Sequence, residues 1–181
     1  MRIIAGRWKG LRLAAVGKGD QAAHLRPTTD RVRETLFNIL SHRVDFEGRR
    51  VLDLFAGTGA LGLEALSRGA ASCSFVDNGR AARSLIQRNI ALTGGEDVQV
   101  IAKDAQHLGV GTPHDLIFLD PPYGKSMGER ALHAAQKGGW IASGAVIVWE
   151  EATAPAPIDG LQVVLQRSYG KTILTLLEAT L

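Results

Sequence analysis

Cysteine is nearly absent from this chain: Cys73 is the only one in 181 residues. An intrachain disulfide is therefore impossible, and so is a cysteine-rich zinc site. Aromatic residues are sparse, at 6%. No apolar run approaches the ~18–20 residues that cross a bilayer, and the opening Met1-to-Lys9 stretch lacks the apolar core of a signal peptide. His24, His42, His107, His114 and His133 are scattered and share no ligand spacing, so no metal is expected. There is no internal repeat and no low-complexity tract. These absences exclude a disulfide scaffold, a fibre and a membrane span, and they lead to the expectation of a cytoplasmic protein.

What remains is an ordinary globular composition, 45% apolar and 22% charged. The length suits one domain with a small appendage, and such a chain buries about 70% of its unfolded surface. The net charge of +3 hides an uneven distribution. Residues 1–50 hold 11 Lys+Arg against 5 Asp+Glu, a balance of +6, and the remainder carries −3. Positive charge gathered at one end suggests a phosphate-bearing partner.

The local patterns predict an N-terminal β-hairpin over Arg2–Val16, with Arg7, Trp8 and Lys9 at its tip. A polar loop follows from Gly17 to His24. A helix begins after Pro27, capped by Thr28 or Thr29, with Val32, Leu36, Ile39 and Leu40 as its apolar face. Arg31, Arg33 and Glu34 lie off that stripe. From residue 50 onward, short apolar strands alternate with helices. Strands are expected at 51–55, 73–77, 98–101, 116–119 and 145–149, and helices at 61–68, 80–92 and 127–137. A terminal hairpin is expected at 161–165 and 172–177. Largely apolar strands alternating with helices argue for a parallel sheet buried on both faces, with antiparallel character at one edge.

Four sites along this pattern carry chemistry. Asp53-Leu54-Phe55-Ala56-Gly57-Thr58-Gly59-Ala60-Leu61-Gly62 reads as strand, glycine-rich turn and helix, the layout of a nucleotide-type cofactor site. Gly57 and Gly59 permit a close backbone approach. Asp53, at the turn, repels a pyrophosphate and suits a cationic group. Asp77 ends the next strand, where an acid can accept both ribose hydroxyls or cap the following helix. Asp104-Ala105, after the third strand, stands where an adenine amine could be held, or else faces solvent. Asp120-Pro121-Pro122-Tyr123, after the fourth, is the most specific signal. Two prolines impose a rigid extended backbone, which aims the Asp120 carboxylate and the Pro121 carbonyl outward beside the flat Tyr123 ring. Acceptors in a plane with an aromatic above them match an exocyclic amine on a base.

At these residues the chain resembles class I S-adenosylmethionine-dependent methyltransferases acting on base amino groups. More closely it is similar to the RsmD family, which methylates N2 of a guanine in 16S ribosomal RNA. The likeness includes Met1 to Gly10, Leu25 to Leu40, Asp53 to Leu66, Phe118 to Tyr123 and Tyr169-Gly170-Lys171. It implies a Rossmann-like α/β fold, a seven-stranded mostly parallel sheet whose last strand is antiparallel, preceded by the hairpin and helix. Residues 1–49 would form the RNA-binding extension and 50–181 the methyltransferase core. By this resemblance Asp53, Phe55, Ala56, Gly57, Gly59, Asp77, Asp104 and Ala105 bind S-adenosylmethionine. Asp120, Pro121, Pro122 and Tyr123 hold the target base.

Arg7, Lys9, Arg12, Arg26, Arg31 and Arg33 are the candidates for phosphate contacts on 16S rRNA or the small ribosomal subunit. A monomer is expected, since no long apolar stripe calls for a partner. Three rivals stand beside this reading: a DNA adenine-N6 methyltransferase, a catalytically silent RNA-binding assembly protein, and a nicotinamide-dependent oxidoreductase. Asp53 and the proline tetrapeptide count against the last of these.

Overall fold

A computed structural model describes residues 1–15 and 30–180. Arg26, the loop at 17–24 and the capping threonines lie outside the described residues. The elements in chain order are α1 (Asp30–Ser41), β1 (Arg50–Leu54), α2 (Ala60–Ser67), β2 (Ser72–Val76), α3 (Arg80–Thr93) and β3 (Val98–Ile101). A 3-10 turn at Ala105–His107 follows, then β4 (His114–Leu119), α4 (Met127–Lys137), β5 (Ile141–Glu151), β6 (Leu161–Tyr169) and β7 (Thr172–Ala179).

The seven strands form one sheet in the order β3-β2-β1-β4-β5-β7-β6. β1 to β5 run parallel, and β7 is antiparallel to both its neighbours. Val51, Leu52, Leu54 and the apolar residues of β4 are buried because both faces of the sheet are covered. One core gathers Leu63, Leu66, Phe75 and Phe118, and the other Leu52, Ile117, Leu132 and Trp149. No helix among the described residues is long and apolar enough to cross a membrane.

The N-terminal hairpin is looser than its sequence pattern suggests. It has a single antiparallel bridge, Arg2 to Arg12, with the Ile3 N–H donating to the Leu11 carbonyl at 3.0 Å. Its geometry is set by docking rather than by strand pairing. Glu64, buried in α2, accepts from the Ile4 and Ala5 N–H groups at 2.7 and 3.0 Å. The Arg7 N–H donates to the Ser67 carbonyl at 2.8 Å. Gly6 has φ +81°, and a Cβ there would lie 1.8 Å from the Ser67 oxygen, so the approach requires glycine. Ile3 and Leu13 enter the same core as Leu63 and Phe75.

The apolar face of α1 is rotated from the predicted one. Arg33, Leu36, Phe37 and Leu40 are buried, with Phe37 set against Phe46 and Phe118. The inward face runs through positions 33, 36, 37 and 40, a helical repeat that a stripe drawn on aliphatic residues alone misses. β5 begins at Ile141 rather than near 145, and an irregularity in the β4–β5 register between His114 and Leu116 accommodates its early part.

Candidate active site

The sheet changes direction between β1 and β4, and ligands of open α/β sheets bind outside the carboxyl ends of the strands at such a switch point. β1 ends at Leu54, and the chain turns through Phe55 at φ +59° and Gly57 at φ +57° into Gly59, a left-handed N-cap for α2. A phenylalanine with positive φ is uncommon, and it opens the turn directly after β1. The Ala56 N–H donates to the Val76 carbonyl at 3.1 Å.

Asp53 is 2% exposed. Its Oδ2 accepts from the Gly62 N–H in the first turn of α2 at 3.0 Å. Burial pushes its carboxyl well above the usual range, and the neighbouring Asp120 and Asp77 charges push the same way against the Gly62 hydrogen bond. Asp77 links the first two strands. Its Oδ2 accepts from the Gly57 N–H at 2.9 Å and its Oδ1 from the Gly79 N–H at 2.7 Å. A carboxylate has about four lone-pair positions, so Asp77 keeps acceptor capacity toward the outside. The N-cap of α3 is Gly79, with no side-chain cap, so Asp77 does not cap the helix as the alternative reading expects but holds the Gly79 N–H two residues on.

Asp104 caps the 3-10 turn, its Oδ1 accepting from the Gln106 N–H at 2.9 Å. Although burial pushes the other way, the carboxyl is held below its usual value by the hydrogen bonds from Gln106 and by His107. Ala105, beside it, is buried. Asp120 follows β4 directly. Tyr123 is half-buried, its hydroxyl 3.0 Å from Thr172 Oγ1 at the start of β7, which ties the tetrapeptide to the antiparallel hairpin. The Gly124 N–H donates to Glu151 Oε1 at 3.1 Å. The carboxyl edge thus brings together the Asp53-to-Gly59 turn, Asp77, the Asp104 turn and the Asp120-to-Tyr123 loop.

The basic residues are not brought together in the same way. Arg7, Lys9, Arg12 and Arg31 are exposed. Arg33 requires a correction: its side chain is fully buried, with one guanidinium nitrogen donating to the Arg2 carbonyl and to Asp30 Oδ1. It braces the N-terminal segment and presents nothing to a phosphate. Trp8 is half-buried, packs against the core and carries the Arg7 guanidinium 4.1 Å above its ring.

Two residues that sequence reasoning missed fasten the N-terminal segment to the helices of the core. One is Glu64. The other is Asn89, buried in α3, whose Nδ2 donates to the Thr58 carbonyl at 2.8 Å and to the Ala14 carbonyl at 3.1 Å. The only signal of either in the sequence is a polar residue on an otherwise apolar helix face.

Residues 1–178 match the family model described as Conserved hypothetical protein 95. The chain is 40% identical over 152 residues to Ribosomal RNA small subunit methyltransferase D of Escherichia coli K12, covering 83% of this chain and 74% of that one. It is 35% identical over 156 residues to the protein of the same name from Haemophilus influenzae Rd, covering 83% and 78%. The solved structure of yhhF from Escherichia coli superposes with a TM-score of 0.86 at 35% identity, covering 99% of this chain and 97% of that one. The fold and these relatives define a Rossmann-like class I methyltransferase. Within that class, the chain belongs to the RsmD family.

Proposed function

We propose that this protein transfers a methyl group from S-adenosylmethionine to the exocyclic N2 amine of a guanine in 16S ribosomal RNA. The observation that carries the reading is the convergence of Asp53, Asp77 and Asp120 at the switch point, beside a loop stiffened by Pro121 and Pro122. The charges of Asp120 and Asp77 both bear on the buried Asp53 carboxyl, which favours a ligand bearing positive charge, and the cofactor has an ammonium and a sulfonium. Asp53 would face the ammonium, Asp77 the ribose hydroxyls, and Asp104 with Ala105 the adenine. Phe55, Ala56, Gly57 and Gly59 would form the surrounding wall. The names of the relatives supply the RNA class.

When bound, S-adenosylmethionine supplies an electrophilic methyl group. The task left to the chain is to make an aromatic amine a nucleophile. Asp120 and the Pro121 carbonyl would accept its two hydrogens, drawing the nitrogen lone pair out of the ring as positive charge develops there. This is electrostatic stabilisation by preplaced groups. Tyr123, oriented by Thr172, would stack on the flipped base, and Pro122 keeps the loop from rearranging. Methylation releases one amino proton, and the Asp120 carboxylate is its acceptor. The extension through residue 49 would grip the RNA through Arg7, Lys9, Arg12 and Arg31.

Asp120→Ala tests the assignment. Methyl transfer to small-subunit rRNA should fall about 10²–10³-fold, the cost of removing one preplaced polar group, while calorimetry shows S-adenosylmethionine still bound. Nucleoside mass mapping should find N2-methylguanosine in the wild-type reaction and nothing on duplex DNA. Full activity in the variant, or methylated adenine in DNA, refutes the reading.

A further inference from the structure

Glu150 is a buried carboxyl group that this scheme leaves unused. It stands on β5 immediately after Trp149, whose register partner on β4 is Leu119. Asp120 follows Leu119, so the two carboxyl groups leave neighbouring parallel strands side by side at the reacting edge. Glu150 is 4% exposed, and its Oε1 is buried without a hydrogen-bond partner. A cavity of about 10 Å³ is lined by Glu150 with Val32, Leu36, Tyr169, Thr172 and Leu174. Thr172 of that lining is the residue that holds the Tyr123 hydroxyl, so the cavity backs onto the Asp120-to-Tyr123 loop. An orphaned carboxyl oxygen in a mostly apolar wall is costly, and such a group calls for an explanation.

We propose that Glu150 is a positioning residue for the amino-group site, its carboxyl group standing behind Asp120 and leaving Asp120 as the charged member of the pair. The inference rests on the methyl-transfer reading above. Two adjacent carboxyl groups do not both ionise readily. Asp120 is half-exposed and Glu150 buried, so the proton resides on Glu150 and the charge on Asp120, where the target amine needs it. Burial, with the charge of Asp120 adding to it, pushes the Glu150 carboxyl up to about 8. The cavity beside it is lined, among the described residues, by Val32 and Leu36 from α1, Thr172 and Leu174 from β7 and Tyr169 from β6, none of which carries a charge. Glu151, next along β5, turns its Oε1 to the Gly124 and Ala152 N–H groups instead. Once Glu150 ionises, two like charges compete for one place and Asp120 loses its setting.

The test is the pH profile of kcat for wild type, Glu150→Ala and Glu150→Gln on rRNA substrate. Wild-type kcat should decline as pH rises through about 8. Glu150→Ala should lose about 10-fold or more in kcat at pH 7, a loss matched to misplacement of the reacting group, with an unchanged KM for S-adenosylmethionine. Glu150→Gln, a neutral isostere, should restore most of that loss and remove the alkaline decline. A glutamine variant as slow as the alanine one, or one that declines alongside wild type, overturns the proposal.

A second measurement needs no methyl transfer. Between the ordinary Glu value and about 8, the unfolded chain ionises Glu150 while the folded chain keeps its proton. Stability from this group is therefore present at low pH and lost as pH rises through that interval. The Tm of Glu150→Gln should gain on wild type across it. A constant difference refutes the neutral acid even if the assigned substrate proves wrong, and a growing one sustains it.

Discussion

Glu64 shows how much a single side chain holds here. Its carboxylate accepts from the Ile4 and Ala5 N–H groups and from Arg68 Nε at 2.8 Å, all of them partly buried bonds. Glu64→Ala strands two partly buried donors and a nearly buried guanidinium, so it should cost about 3 kcal/mol, the lower end of breaking a buried charge pair. Urea unfolding measures the loss, and a change under about 1 kcal/mol, the scale of an exposed ion pair, would show that the clasp is ornamental. Legibility at this scale divides on locality. Asp53, Asp77, Asp104 and Asp120 stand out as candidates because each lies within a few residues of the carboxyl end of a strand, a position readable from neighbouring residues. Arg68 is a local partner of Glu64, but its backbone partners lie 59 and 60 residues away, and those of Asn89 lie 31 and 75 residues away. A lone Glu in Ala-Leu-Gly-Leu-Glu-Ala-Leu signals a buried partner without saying which one. Arg33 misled for the same reason: charge suggested solvent, and only its distant neighbours show that its long stem and head are enclosed.

At the scale of elements, alternating strands and helices gave away the members of the parallel sheet though not their spatial order, because each run is bounded by its own turn residues. The first hairpin was overdrawn because its shape comes from α2, which it lies on, more than from its own strand propensity. α2 itself is held close to the sheet by Gly62. A Cβ there would lie 2.5 Å from both Cys73 Sγ and Phe75 Cε1, and the Gly62 N–H is the donor to Asp53. Gly62→Ala gains helix propensity of about 1 kcal/mol, but the overlap must be relieved by moving a helix or a β2 side chain, at about 1–3 kcal/mol. The expected outcome is a lower Tm together with weaker S-adenosylmethionine binding, since the shift passes through Asp53. Thermal unfolding and calorimetry on one sample decide it, and a variant as stable and as tight as wild type would mean that α2 has slack.

Across the whole molecule, the uneven charge of the sequence takes on a direction. α2 runs back from the carboxyl edge, and the hairpin tip docks at its far end, where Arg7 meets Ser67. The base of the hairpin lies near the site: Thr58 Oγ1 donates to Met1 Sδ at 3.7 Å, and Asn89 joins Thr58 to Ala14. Arg12 lies two residues from Ala14, near that base, and Arg31 follows Asp30, which accepts from the Arg2 N–H at 3.3 Å, while Arg7 and Lys9 lie at the far tip. Deleting the segment would not isolate its charge, because Ile3 and Leu13 are core residues. Charge reversal does isolate it. Arg12→Glu with Arg31→Glu should weaken rRNA binding more than Arg7→Glu with Lys9→Glu, and every phosphate left without its cation should flatten the salt dependence by about 0.7–0.9 in log–log slope. Cofactor affinity should stay at the wild-type value in both pairs. RNA binding and salt slope unchanged in both would leave the basic extension as a brace for the fold, and the phosphate-gripping surface would then have to be sought on the core that carries the acidic balance.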